Sequence, residues 1–305
     1  MNRLAPLLCA LLAACADAGQ EARAAAPAPA AEARSSQPDN YAAFAAVLER
    51  HQSMAARVAR ISRALRVANA PLCSVTRLDA GLSTHRLADY PQSLQPLAEH
   101  FMALPQDGRF VRFVVPGSPA DALDIRPGER IAAGWPIRDG EPLRLGLGEG
   151  AQDVVIDADT ACAVPIFVVQ SDVLNASTDG REIDLSSALV EQAGDDSGLA
   201  FIIAHEMAHV IRPPAVGVSR WDVELQADAD ALVLMRNAGF DVDGTVRSWA
   251  AGVELHRESQ SLSLTHPPVD IRLASLRRAL SDVQRRSSLL AAGEVLRLDE
   301  GRQSP

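Results

Sequence analysis

The sequence has no basic run. Its 29 Lys and Arg are outnumbered by 39 Asp and Glu, giving a formal charge of −10, so nothing in it is suited to neutralising phosphates and nucleic acid is excluded as a partner. It has no internal repeat. Past the first residues it also lacks the roughly eighteen consecutive apolar residues that a membrane-spanning helix needs, so the body is expected to be soluble. Cysteine is scarce, with four in the chain. Cys9 and Cys15 lie at the N-terminus, which leaves Cys73 and Cys162 either to bridge in an oxidising compartment or to stay as two buried thiols. What is present is a 305-residue chain, 48% hydrophobic, enough for one sizeable core or two smaller ones and too apolar for a disordered protein.

The first residues read as an export signal over 1–14: Arg3 supplies a positive start, and Leu4 to Ala14 form an apolar stretch too short to span a bilayer. Leu12-Ala13-Ala14-Cys15 resembles the lipobox of bacterial lipoproteins, which implies acylation of Cys15 and a membrane anchor facing the periplasm. Ala16 after the cysteine favours the outer over the inner membrane. The alternative is an ordinary cleaved signal and a secreted soluble protein. Residues 15–39, rich in Ala, Pro and Ser, read as the anchor and a flexible linker.

Over 40–70, Phe44, Val47, Leu48, Met54, Val58, Ile61 and Leu65 recur at three and four, the spacing of an amphipathic helix. Arg50, Arg57, Arg60, Arg63 and Arg66 are expected on its solvated face, with His51. Residues 71–168 change to short β-type runs: Phe110 to Val115, Arg130 to Ala133, Val154 to Ile156 and Val164 to Val169. Within them, Val115-Pro116-Gly117-Ser118-Pro119-Ala120-Asp121 and Ile125-Arg126-Pro127-Gly128-Glu129-Arg130-Ile131 resemble a run of bacterial PDZ domains. That resemblance implies a small module which either adds an extended peptide to a sheet edge or braces its neighbour. Residues 169–285 read as mostly helical, with helices over Leu185 to Ala193, Gly198 to Arg212, Val223 to Ala238, Val246 to Glu258 and Pro268 to Val283, and 286–305 as a tail. The fold class is α+β.

The chemistry centres on His205-Glu206-Met207-Ala208-His209. Leu199 to Ala204 before it and Val210-Ile211 after it are apolar, Asp195, Asp196 and Ser197 are cap candidates, and Pro213-Pro214 stops the run, so the motif lies on one buried helix. Positions four apart differ by about 40° around a helix, so both imidazoles face one point and can bind one zinc ion, while Glu206 sits beside them without being a ligand and can serve as general base. Three ionisable side chains within five residues of an apolar helix are costly unless something binds them.

A catalytic zinc keeps three protein ligands and one open position. No His follows His209 until His256, but Glu224-Leu225-Gln226-Ala227-Asp228 begins fifteen residues later. Its two carboxylates share a helix face. Glu224 is assigned as the third ligand, and Asp228 as acceptor of the N–H of a ligand histidine.

These motifs, with Asn175-Ala176, Ala238-Gly239-Phe240-Asp241, and Thr265-His266-Pro267-Pro268 with Arg272, resemble the zinc metallopeptidases that include the CAAX prenyl endopeptidases and the heat-shock protease HtpX, over about residues 170–285. The resemblance implies a compact, mostly helical gluzincin domain that cleaves peptide bonds. The membrane helices of those branches are missing from this sequence, so a soluble periplasmic branch, acting on misfolded or envelope proteins, is nearer than one acting on prenylated substrates. In the family the residue matching His266 lies by the active site; here it either touches zinc or the transition state, or caps the helix that starts at Pro267 or Pro268. Arg272 either holds substrate or the oxyanion, or pairs with a carboxylate. The competing function is an envelope protein-binding, chaperone-like factor whose protease activity stays latent.

Overall fold

The structure, a computed structural model, describes residues 37–133, 143–148, 152–255, 267–290 and 294–298. The export signal, Cys15 and His266 lie outside them. The architecture is α+β, with a strand-rich part inserted between a long first helix and a helical body.

Helix α1 (Gln37–Ala68) sends Val58, Ile61 and Leu65 into the main core, at the three-and-four spacing read from the sequence. Its arginines correct the expectation of a solvated face. Arg57 and Arg60 bind the carboxylate of Asp196 at 2.9 and 2.5 Å, and Arg57 also donates to the carbonyls of Val190 and Gly194. Arg63 and Arg66 close on Asp79, and Arg63 also reaches Asp159. Arg50 faces Glu191 at 3.4 Å, and half-buried His51 lies 3.4 Å from the carbonyl of Val168. A periodic row of cations shows that the residues share a face, but not which carboxylates stand opposite them: Asp79 lies 16 and 13 residues from Arg63 and Arg66, and Asp196 lies 139 and 136 from Arg57 and Arg60.

The chain then forms β1 (Thr76–Asp79), β2 (Leu82–His85), α2 (Gln95–Phe101), β3 (Arg109–Val114), α3 (Pro119–Ala122), β4 (Arg130–Ala133), β5 (Leu143–Leu147), β6 (Gln152–Ile156) and β7 (Asp159–Cys162). Strands β2 to β6 make an antiparallel sheet in sequential order. Ala80, Val111, Ala120, Ile125, Ile131, Leu145 and Ile156 form its own core. The turn into α3 needs Gly117, at φ 74°, where a side chain would be strained, and Ser118 caps the helix by accepting from the amide of Asp121. Strand β1 pairs with β7 outside this sheet. Beside that pair Cys73 and Cys162 form a disulfide across 89 positions of sequence, with Cα atoms 5.5 Å apart. Opening it by reduction, or by replacing both cysteines with serine, is expected to lower stability by about 4.6 kcal/mol on the loop-entropy view, read as a shift of the denaturant midpoint.

Strands β8 (Ile166–Val169), β9 (Ala176–Thr178) and β10 (Ile183–Ser186) form a separate mixed sheet, with β10 parallel to β8 and antiparallel to β9. A boundary at residue 168 would cut β8, whose partner β10 belongs to the helical body. That body continues with α4 (Ser187–Gln192), α5 (Asp196–Ile211), α6 (Arg220–Asn237), α7 (Val242–Leu255) and α8 (Val269–Ser287). No described helix is long and apolar enough to cross a membrane.

Candidate metal centre

Helix α5 starts where the Asp195 side chain accepts from the amide of Gly198 at 2.7 Å, and ends at Ile211 ahead of two prolines. From Leu199 to Ala208 it is buried on every side, His205 and Glu206 included, at 2% and 4% exposure. Helix α6 starts at a Ser219 cap that accepts from the amide of Asp222. It runs against α5 and carries Glu224 and Asp228 one turn apart.

Among the described residues, one group of His, Cys, Asp or Glu side chains could hold a metal ion: His205, His209 and Glu224, with donor atoms all within 4.8 Å of one another. The two Nε2 atoms are 3.2 Å apart, Glu224 Oε2 is 3.3 Å from that of His205, and Oε1 is 3.7 Å from that of His209. Bonds of about 2.0–2.1 Å to a tetrahedral ion put neighbouring donors roughly 3.3 Å apart. The donor set therefore fits zinc in both chemistry and spacing. His209 and Glu224 retain some exposure, so the site opens on their side.

The other nitrogen of His205, Nδ1, lies 3.0 Å from Asp228 Oδ1. A proton there leaves Nε2 with its lone pair toward the donor set. Burial would push this imidazole's pKa down, but hydrogen bonds to Asp228 and Glu224 and the charges of Asp228 and Glu206 outweigh it and lift it to about 9. The pocket is thus one that stabilises a positive charge, whether proton or metal.

Asp228 is itself held. Arg272 donates from Nε to Oδ2 at 2.8 Å and from Nη2 to Oδ1 at 2.5 Å. Burial raises the Asp228 carboxyl's pKa, yet Arg272 and His205 bring it down to about 2. The Arg272 guanidinium lies 5.1 Å from the centroid of the Trp249 ring, and Trp249 meets Phe201 edge-on at 6.1 Å. Phe201 is one turn before His205, so the contacts close a ring through α5, α6, α8 and α7. Of the two roles read for Arg272, the structure gives the pairing with a carboxylate and not the hold on substrate or oxyanion: at 1% exposure and engaged by Asp228, it is a positioning group behind the site. The Trp249 contact was not foreseen; its one signal is an aromatic on the apolar stripe of α7.

Residues 151–216 match the profile of Peptidase family M48, about a fifth of the chain. No curated protein matches, and no solved structure does. The match supports a peptidase. It contains both histidines of the donor set and stops before Glu224, Asp228 and Arg272, which the fold brings to the same place.

Proposed function

We propose that the chain is a zinc-dependent metalloendopeptidase in which His205, His209 and Glu224 hold the ion and Glu206 is the general base. The observation that carries this reading is the donor set, two imidazoles and a carboxylate from two helices at the mutual spacing of a tetrahedral ion.

When bound, zinc would supply a Lewis acid for a peptide carbonyl and lower the pKa of a water at its open position. Glu206 follows His205 on α5, and its charge acts on that imidazole. Its carboxylate takes the proton of the attacking water and returns it to the leaving amine as the peptide C–N bond breaks. Asp228 keeps the proton on Nδ1 of His205, and Arg272 keeps Asp228 ionised. His266 is the candidate to steady the developing oxyanion.

The substrates proposed are misfolded or envelope proteins, met in a periplasm-like space by an enzyme anchored through Cys15. The Cys73–Cys162 disulfide supports an oxidising compartment. The strand-rich module with its PDZ-like turn would serve as the binding element.

Two measurements test the proposal. Purified protein is expected to carry one zinc per chain and to cleave casein, losing both on chelation and regaining both with added zinc. Glu224→Ala is expected to leave the fold intact and empty the site; a Glu224→Ala protein with full zinc content and full cleavage sinks the ligand assignment.

A further inference from the structure

A groove of about 580 Å³ lies at the junction of the two parts, walled by α1, the segment from residue 75 to 83, and the start of β8. It belongs neither to the metal centre nor to the five-stranded sheet alone. Three of the strands that line it, β1, β2 and β8, are each the outer strand of their sheet. Outer strands carry backbone donors and acceptors outside the ladder, where an extended chain can pair. Large apolar side chains stand open at the groove, Val75 at 66% and Phe167 at 49% exposure.

The charge lining the groove is positive in excess. Its lining holds three arginines, Arg63, Arg66 and Arg77, against one acid, Asp79, in a chain whose formal charge is −10. Asp79 is already saturated: Arg63 Nε at 3.2 Å, Arg66 Nη2 at 2.6 Å and the amide of Gly81 at 2.8 Å all donate to it. Asp159 is engaged by Arg63. Arg77 makes no ion pair among the described residues, and Nη1 of Arg66 is buried without a hydrogen-bond partner. Burial lowers the pKa of Arg66, Asp79 offsets part of this, and the charges of Arg77 and Arg63 lower it further. A carboxylate would relieve this surplus of guanidinium groups.

We propose that the groove binds an extended polypeptide segment carrying a carboxylate: the segment adds to the free edge of β1, Arg77 and Arg66 hold the carboxylate, and Val75 and Phe167 take the flanking apolar side chains. This goes beyond the peptidase reading and does not depend on it, because occupancy is read as binding and not as cleavage.

The test uses the full chain carrying Glu206→Gln, so that cleavage cannot consume the probe, and fluorescence anisotropy of a labelled peptide of alternating valine and threonine with a central aspartate. The same peptide with asparagine at the centre is the control. The aspartate peptide is expected to bind at least about tenfold more tightly. Arg77→Gln, at an exposed position that leaves Asp79 its partners, is expected to erase that preference, and Phe167→Asp to weaken both peptides. Equal affinity for the two peptides overturns the proposal, as does a preference untouched by Arg77→Gln. Displacement of the probe by inorganic phosphate alone would show a simple anion site and also overturn it. A chain ending at Leu298 that binds about tenfold more tightly than the full chain would make residues 299–305, with Asp299 and Glu300, the occupant, and would overturn the assignment to a separate polypeptide.

Discussion

Glu206→Gln protein is expected to bind zinc in full and to cleave casein about 10²–10⁴ times more slowly than the parent chain, the usual worth of a positioned general base. Glutamine keeps the size of the buried side chain and removes its ability to take a proton. Since Glu206 is not in the donor set, metal content should stay at one ion per chain. Undiminished cleavage would remove Glu206 from the chemistry. Loss of zinc together with activity would instead make it a ligand. The same variant separates the competing reading of a chaperone-like factor: if it restores a deletion strain that a chain without residues 71–168 does not, binding is the main role.

Arg272→Ala is expected to cost about 3–5 kcal/mol of stability, because it strands the Asp228 charge in the interior, where both partners are 1% exposed. The loss would appear as a lower denaturant midpoint. Replacing both partners with apolar residues, Asp228→Leu with Arg272→Met, is expected to recover most of that stability. It is also expected to weaken zinc binding about 10–100-fold, since His205 loses the acceptor that fixes its tautomer. Full zinc affinity in the double variant would limit the pair to a packing role. The acid response follows from the sign of the shift. Asp228 is held down to about 2, so its contribution is complete above the ordinary aspartate pKa and is lost as pH falls through about 2. The parent chain should therefore keep this pair intact at pH 4. In Arg272→Ala the carboxyl is relieved of its cation and should take up a proton at higher pH, so that the stability gap between the two proteins narrows on acidification.

Helix α5, with His205 and His209 on one face, was legible in the sequence because its information is local. Four-residue spacing fixes which way two imidazoles point, and a proline pair fixes where the helix stops. The placement of Glu224 and Asp228 beside the two histidines was legible for a related reason, since a carboxylate pair spaced by four projects from one face of a helix. What could not be read was whatever depends on a distant partner. Arg57 and Arg272 have ordinary surface sequences around them, and nothing local indicates that their carboxylates lie 139 and 44 residues away. The short strands failed differently. Leu185 to Ala193 reads as a helix, yet Ile183–Ser186 is β10 and the helix starts at Ser187, because Ser186 caps it by accepting from the amide of Leu189. In a strand of four residues, period two cannot be told from the first turn of a helix. Helix α2, seven residues inside a strand-rich stretch, was missed for the same reason.

Helix α1 runs for 32 residues, which makes a rod of about 48 Å. Its grip on Asp196, through Arg57 and Arg60, comes about two thirds of the way along, some 30 Å from its first turn. If lipid holds the chain at Cys15, the rod and the flexible linker before it act in series, so the body is tethered within reach of the bilayer and is not held at one height above it. Polypeptides projecting from the membrane and those drifting past would then both be within reach.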